Sequence, residues 1–194
     1  MVTMLDNWLT LRMMSAPSGG GDSNIVYELY DHTCNGTATT AINTGIYLFD
    51  NTVFPYGWTI ELDFYFTAHV SQGSVIRCRN AGSPYNGINT RNKTSSGQME
   101  AQVNNVSASI NFSMGDRIKV FFDYSVSSKI CKVTVNNITK GTTSSNSNSM
   151  SGKTVKPPLV VGGENNNDTA NFTWKSGRFP KCYITSLVVT KKTS

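Results

Sequence analysis

The stretch Trp58–Thr67, WTIELDFYFT, constrains this chain more than any other. Trp58, Ile60, Leu62, Phe64 and Phe66 take every second position, and Thr59, Glu61, Asp63 and Tyr65 stand between them. A period of two places the first set on one face of a β-strand and the second on the other. Aromatic and β-branched residues on the apolar face suit a middle strand pressed on the core of a sandwich. The same stretch carries the closely spaced carboxylates Glu61 and Asp63, so its reading also separates an enzyme from a binder.

From Ile25 onward the chain is a succession of short alternating runs. These are Ile25–Tyr30, Gly45–Phe49, Gly73–Arg79, Gln98–Val103, Ser107–Phe112, Arg117–Tyr124, Ile130–Asn136, Leu159–Val161 and Cys182–Thr190. Turn residues separate them, among them Asn35-Gly36, Pro55-Tyr56-Gly57, Ser96-Gly97 and Asn136-Asn137. In Arg117–Tyr124, Ile118, Val120, Phe122 and Tyr124 share one face. No helical period is sustained between the runs. Many short strands without helices predict an all-β fold, an antiparallel two-sheet sandwich of jelly-roll type. A chain of 194 residues fits one such domain, read here as 24–194. Polar stretches interrupt it at 80–97 (around a short strand at Ile88), at 140–158 and at 162–174.

Residues 1–23 are set apart. MVTMLDNWLTLRMM is apolar and Met-rich, and SAPSGGGDS, Ser15–Ser23, reads as a flexible connector. Leu9, Leu11 and Met13 alternate as a terminal strand would, whereas Met4, Leu5, Trp8 and Leu9 fit a short amphipathic helix. An apolar peptide tethered to a polar domain needs a partner. Leu5, Trp8, Leu9 and Leu11 are therefore candidate anchor residues.

Charge excludes some functions. The net charge is +5, but Lys and Arg are dispersed and form no continuous basic stripe, so no nucleic-acid partner is expected. No run is long and apolar enough to span a membrane, and the N-terminal stretch lacks the basic lead of a secretory signal. Cys34, Cys78, Cys131 and Cys182 are widely spaced without CxxC or clustered histidines, so no metal site is expected. Cys78 and Cys131 alternate in phase with apolar neighbours, as core thiols of a protein folded in a reducing cell would. His32 and His69 stand far apart without a serine elbow, which gives no hydrolase triad.

The order of motifs resembles that of concanavalin A-like and laminin G-like domains. CNGTATTAINTGIYLF (Cys34–Phe49) leads into WTIELDFYF, then GSVIRCRN, GDRIKVFFDY, KICKVTVNN, LVVGG and GRFPKCYITSLVVTK. The resemblance spans about Ile25 to Lys191 and implies a concanavalin A-like jelly roll. That fold serves lectins, adhesion modules, glycosidases and viral surface proteins alike. Laminarinase-type glycosidases of this superfamily carry E-x-D-x-x-E on one strand. Glu61 and Asp63 match its first two carboxylates, but Tyr65 and Phe66 stand where the third should follow. Retaining hydrolysis needs two carboxyl groups about 5 Å apart in complementary roles, so no catalytic residue is assigned. Glu61 and Asp63 are expected to face solvent.

A sugar site instead combines an aromatic plate with amide and carboxylate hydrogen-bonding groups. The polar loops offer Tyr85 and Asn86 in one place and Asn165, Asn166, Asp168 and Trp174 in another. No cofactor is implied, although Asp168 with amide oxygens could offer calcium a single carboxylate. These features lead to a non-enzymatic accessory protein of a virus or phage particle. It would be docked on a capsid or tail protein through the N-terminal segment, with scope for a homo-oligomer, and would present a lectin-like sandwich to a surface glycan. Its setting would be the virion surface, after synthesis in the host cytoplasm, or otherwise extracellular. The alternative is a free-standing carbohydrate-binding module or secreted lectin, and the third reading a degenerate glycoside hydrolase.

Overall fold

The computed structural model describes residues 24–80, 86–94, 97–104, 106–140, 154–165 and 173–194. The N-terminal segment, including Leu5, Trp8, Leu9 and Leu11, lies outside the described residues. In chain order the strands are β1 (Ile25–Asn35), β2 (Ile42–Asn43), β3 (Gly57–Ala68), β4 (Ser74–Arg79), β5 (Gly87–Thr94) and β6 (Gln98–Val103). They continue as β7 (Val106–Asn111), β8 (Ile118–Ser125), β9 (Ile130–Val135), β10 (Ile138–Lys140), β11 (Val160–Val161) and β12 (Lys181–Lys191). Sheet one has the order β1-β12-β3-β8-β9-β10 and sheet two the order β2-β11-β4-β5-β6-β7. Every pairing is antiparallel, so the fold is a two-sheet jelly-roll sandwich.

β3 lies between β12 and β8, in the middle of sheet one. Trp58, Ile60, Leu62, Phe64 and Phe66 are each at most 2% exposed and form the floor of the core. Ile118, Val120 and Phe122 extend it on β8, and Ile184, Leu187 and Val189 on β12. Sheet two closes it from above with Ile76, Cys78, Ile88, Met99, Ala101, Val103 and Val161. At one end Phe49, Trp58 and Tyr124 pack with ring centroids 5.2–5.5 Å apart. Such aromatic contacts each add about 0.5–1.5 kcal/mol to the area they bury.

Three segments differ from expectation. Gly45–Phe49 is not a strand. Gly45 has φ +71°, and the Asp50 carboxylate accepts from both Thr52 N and Thr52 Oγ1, so the chain turns there while Leu48 still drops into the core. The strand in this region is the two-residue β2, which pairs with β11. Second, the polar stretch beginning at residue 80 holds a full eight-residue strand, β5. Its inward residues Ile88, Thr90 and Asn92 include two polar ones, which hides the alternation from a hydrophobicity count. Third, β1 runs past Tyr30 to Asn35, pairing His32, Thr33 and Cys34 with Ile184, Tyr183 and Cys182.

Candidate functional site

The outward face of β4 opens the candidate site. Ile76 and Cys78 point into the core, so Arg77 and Arg79 point to the other face. The ladder then sets Asn89 beside Arg77, Gln102 beside Asn89, and Glu100 beside Arg91. Sheet two thus carries continuous polar rows on its outer surface. Arg79 Nη1 donates to Gln102 Oε1 at 2.5 Å. Arg91 donates through Nε and Nη2 to Glu100 Oε2 at 3.1 and 2.9 Å, and through Nη1 to Gln72 Oε1 at 2.5 Å. Lys93 Nζ lies 3.7 Å from the other Glu100 oxygen.

A second carboxylate comes from the loop after β11. Glu164 lies 3.2 Å from Arg77 Nη1, 3.3 Å from Lys175 Nζ and 3.8 Å from Arg178 Nε. Its position is set by a short hairpin: Asn165 bridges Trp174, and Lys175 N donates to Glu164 O at 2.8 Å. Gly163 makes that hairpin fit. A Cβ there would lie 2.9 Å from the Trp174 ring, closer than real side chains approach. Trp174 packs on this glycine and edge-on against Phe179, with centroids 6.0 Å apart.

Among the described residues this face gathers six cationic side chains, Arg77, Arg79, Arg91, Lys93, Lys175 and Arg178, around two carboxylates, Glu100 and Glu164. The surplus is positive. Arg77, Arg79 and Glu100 are buried, whereas the side chains of Arg91, Arg178 and Lys175 are 25%, 30% and 40% exposed. An incoming ligand meets that outer ring first. Asn89 is fully buried between Arg77 and Gln102, and neither amide atom has a hydrogen-bond partner among the described residues. An orphaned buried amide costs about 1–3 kcal/mol, so it marks a place where a polar partner would be welcome.

The sequence candidates are partly brought here. Asn165 is buried and Trp174 half-buried, and the two meet in the Glu164 hairpin. Asn86 is buried in the β4–β5 connection, where its carbonyl accepts from Asn80 N at 3.0 Å. Tyr85, Asn166 and Asp168 lie outside the described residues. Among the described residues no group of three His, Cys, Asp or Glu could hold a metal ion. Arg77, Arg79, Asn89, Arg91, Glu100 and Glu164 were absent from the sequence candidates. A signal for those on β4 and β6 exists, since in SVIRCR and QMEAQV polar residues alternate with core residues, whereas Thr90 and Asn92 mask it in GINTRNK.

The carboxylates of β3 lie elsewhere. Glu61 is exposed on the outer face of sheet one, the opposite side of the sandwich. Asp63 shares that face but, contrary to expectation, is only 8% exposed. Its oxygens take Nε and Nη2 of Arg117, both at 2.6 Å. A fork-to-fork guanidinium pair folds over the carboxylate and screens it. Beyond it, Tyr65 stacks on Tyr183 at 5.4 Å and Phe66 is in the core, so neither supplies a third acid. Glu61→Gln is accordingly expected to leave both the melting temperature and any glycan affinity unchanged, as read by calorimetric melts and titration.

No protein-family model matches the chain, and no curated protein matches it. Among solved structures it is similar to the CBM40 of the Ruminococcus gnavus IT-sialidase bound to α2,3 sialyllactose. The TM-score is 0.58 at 13% identity, over 88% of this chain and 92% of that one. It is also similar to the leech intramolecular trans-sialidase complexed with 2,7-anhydro-Neu5Ac, with TM-score 0.53 and 16% identity. That match covers 87% of this chain and 26% of the leech enzyme. At these identities the likeness is one of fold, a two-sheet β-sandwich.

Proposed function

We propose that this chain is a non-catalytic carbohydrate-binding module whose ligand is an acidic glycan, held on the outer face of sheet two. The observation that carries the reading is the cation surplus of that face, among the described residues, over an Asn89 amide that has no partner among them. A planar guanidinium meets a sugar carboxylate with two parallel hydrogen bonds, and hydroxyls suit an amide's donor and acceptor. Trp174 at the rim supplies an aromatic edge. The fold supports the reading, because a similar sandwich is recorded with a sialylated trisaccharide.

Of the three readings drawn from the sequence, the free carbohydrate-binding module is the best supported. The capsid or tail anchor rests on residues outside those described. Glycan adhesion belongs to both of these readings, and an extracellular setting goes with it. The test is a titration of the whole chain with α2,3-sialyllactose and with lactose. Binding of the acidic sugar at least tenfold tighter, weakening with added salt, is expected. Arg91→Ala should reduce that affinity about 10–100-fold, the worth of a charged hydrogen-bonding group. Equal affinity for the two sugars, or none for either, overturns the proposal.

A further inference from the structure

The core between β1 and β12 holds a thiol pair that the proposed glycan contacts do not use. Cys34 on the edge strand β1 stands directly opposite Cys182 on β12, and each thiol shifts the other's proton affinity. Directly opposed residues of an antiparallel ladder have Cα atoms about 4.5 or 5.5 Å apart, depending on the type of pair. Both spacings fall inside the 4.4–6.8 Å that a disulfide spans. The two thiols are buried on the same inward face, and Cys34 lies so close to Gly162 that a Cβ there would come within 2.8 Å of the sulfur. The sulfur is thereby pinned in place beside its partner.

A base is also present. His32 is two residues before Cys34 on the same face of β1, and it helps to hold that thiol down. The ring's Nε2 lies 2.7 Å from Thr40 O. A carbonyl only accepts, so Nε2 carries the proton and Nδ1 is the basic nitrogen. The Cys182 thiol, and after it His32, hold the Cys34 thiol down at about 6 in spite of its burial. Cys78 and Cys131, by contrast, sit deep among apolar side chains, and burial pushes Cys78 up to about 12 and Cys131 well above its ordinary value. Thiolate character decides which sulfur reacts.

We infer that Cys34 and Cys182 form a peroxide-sensitive thiol pair that closes to a disulfide between β1 and β12. In the first step the Cys34 thiolate attacks one oxygen of a hydroperoxide. A sulfur–oxygen bond forms, the peroxide bond breaks, and the leaving oxygen takes a proton from the His32 imidazolium to depart as water or an alcohol. In the second, the Cys182 sulfur displaces the hydroxyl of the Cys34 sulfenic acid, the disulfide forms, and the thiol proton leaves with that oxygen as water. Overall two thiols are oxidised and one peroxide is reduced. A small oxidant reaches the pair when the edge strand opens locally, since sheet edges open more cheaply than sheet interiors.

The experiment treats the folded full-length chain with hydrogen peroxide, then unfolds it, alkylates remaining thiols and maps peptides by mass spectrometry. Two of the four thiols should disappear, the Cys34 and Cys182 peptides should be joined, and dithiothreitol should restore both. In Cys182→Ser the Cys34 sulfenic acid should persist and be trapped by a 1,3-dione probe. In Cys34→Ser the other three cysteines should stay reduced. Four intact thiols in the wild type, a link to Cys78 or Cys131, or only intermolecular links would overturn the inference.

Discussion

Phe64→Ala is expected to destabilise the fold by about 3–5 kcal/mol, the usual cost of a phenylalanine-sized cavity in a packed interior. Phe64 is fully buried, and its position explains why little can move to fill the hole. Ile118 flanks it across the ladder on one side and Ile184 on the other. Phe66 meets it edge-on, with ring centroids 5.2 Å apart and planes at 87°. Three neighbouring strands fix these residues through their backbones, so the cavity stays open. For a chain of this size each kcal/mol moves the melting temperature by roughly 2–4 °C. Calorimetry should therefore show a fall on the order of ten degrees. A melt within one or two degrees of the wild type would mean that the inward and outward faces of β3 are reversed.

That face was readable because it is the simplest case of alternation. Every inward residue of β3 is large and apolar, and every outward one but Tyr65 is polar or charged, so the period of two stands out against any background. The same rule applies to sheet two but is harder to see there. The outward residues Arg77, Arg79, Asn89 and Glu100 of β4 to β6 are buried, and inward positions include Thr90 and Asn92. A reading that equates burial with apolarity therefore takes β5 for loop. Arg77 is inconspicuous in the sequence because its partner Glu164 is distant along the chain and approaches only through the Gly163 turn. Trp174 and Asn165 were found because loop aromatics and amides are conspicuous. What made them a site, the carboxylate beside them, was not.

Glu164→Gln is expected to cost about 3–5 kcal/mol, as losing one member of a buried ion pair does. The Glu164 and Arg77 side chains are only 8% and 6% exposed, so water cannot replace the lost charge. Lys175 and Arg178, at 40% and 30% exposure, can turn outward and be solvated, whereas the buried Arg77 guanidinium loses the Glu164 charge with no such escape. A double variant separates stability from function. Replacing both partners by apolar groups of similar volume, Arg77→Met with Glu164→Leu, removes both buried charges together, and such swaps in protein interiors are often neutral or stabilising. The double variant should thus melt well above Glu164→Gln and close to the wild type. Its affinity for acidic glycan should nevertheless stay low, because the Arg77 guanidinium beside Asn89 is gone. Chemical denaturation paired with sialyllactose titration gives both readouts. Wild-type affinity in the double variant would place the acidic sugar elsewhere on the sandwich. A double variant no more stable than Glu164→Gln would show that this corner is held by packing rather than by charge.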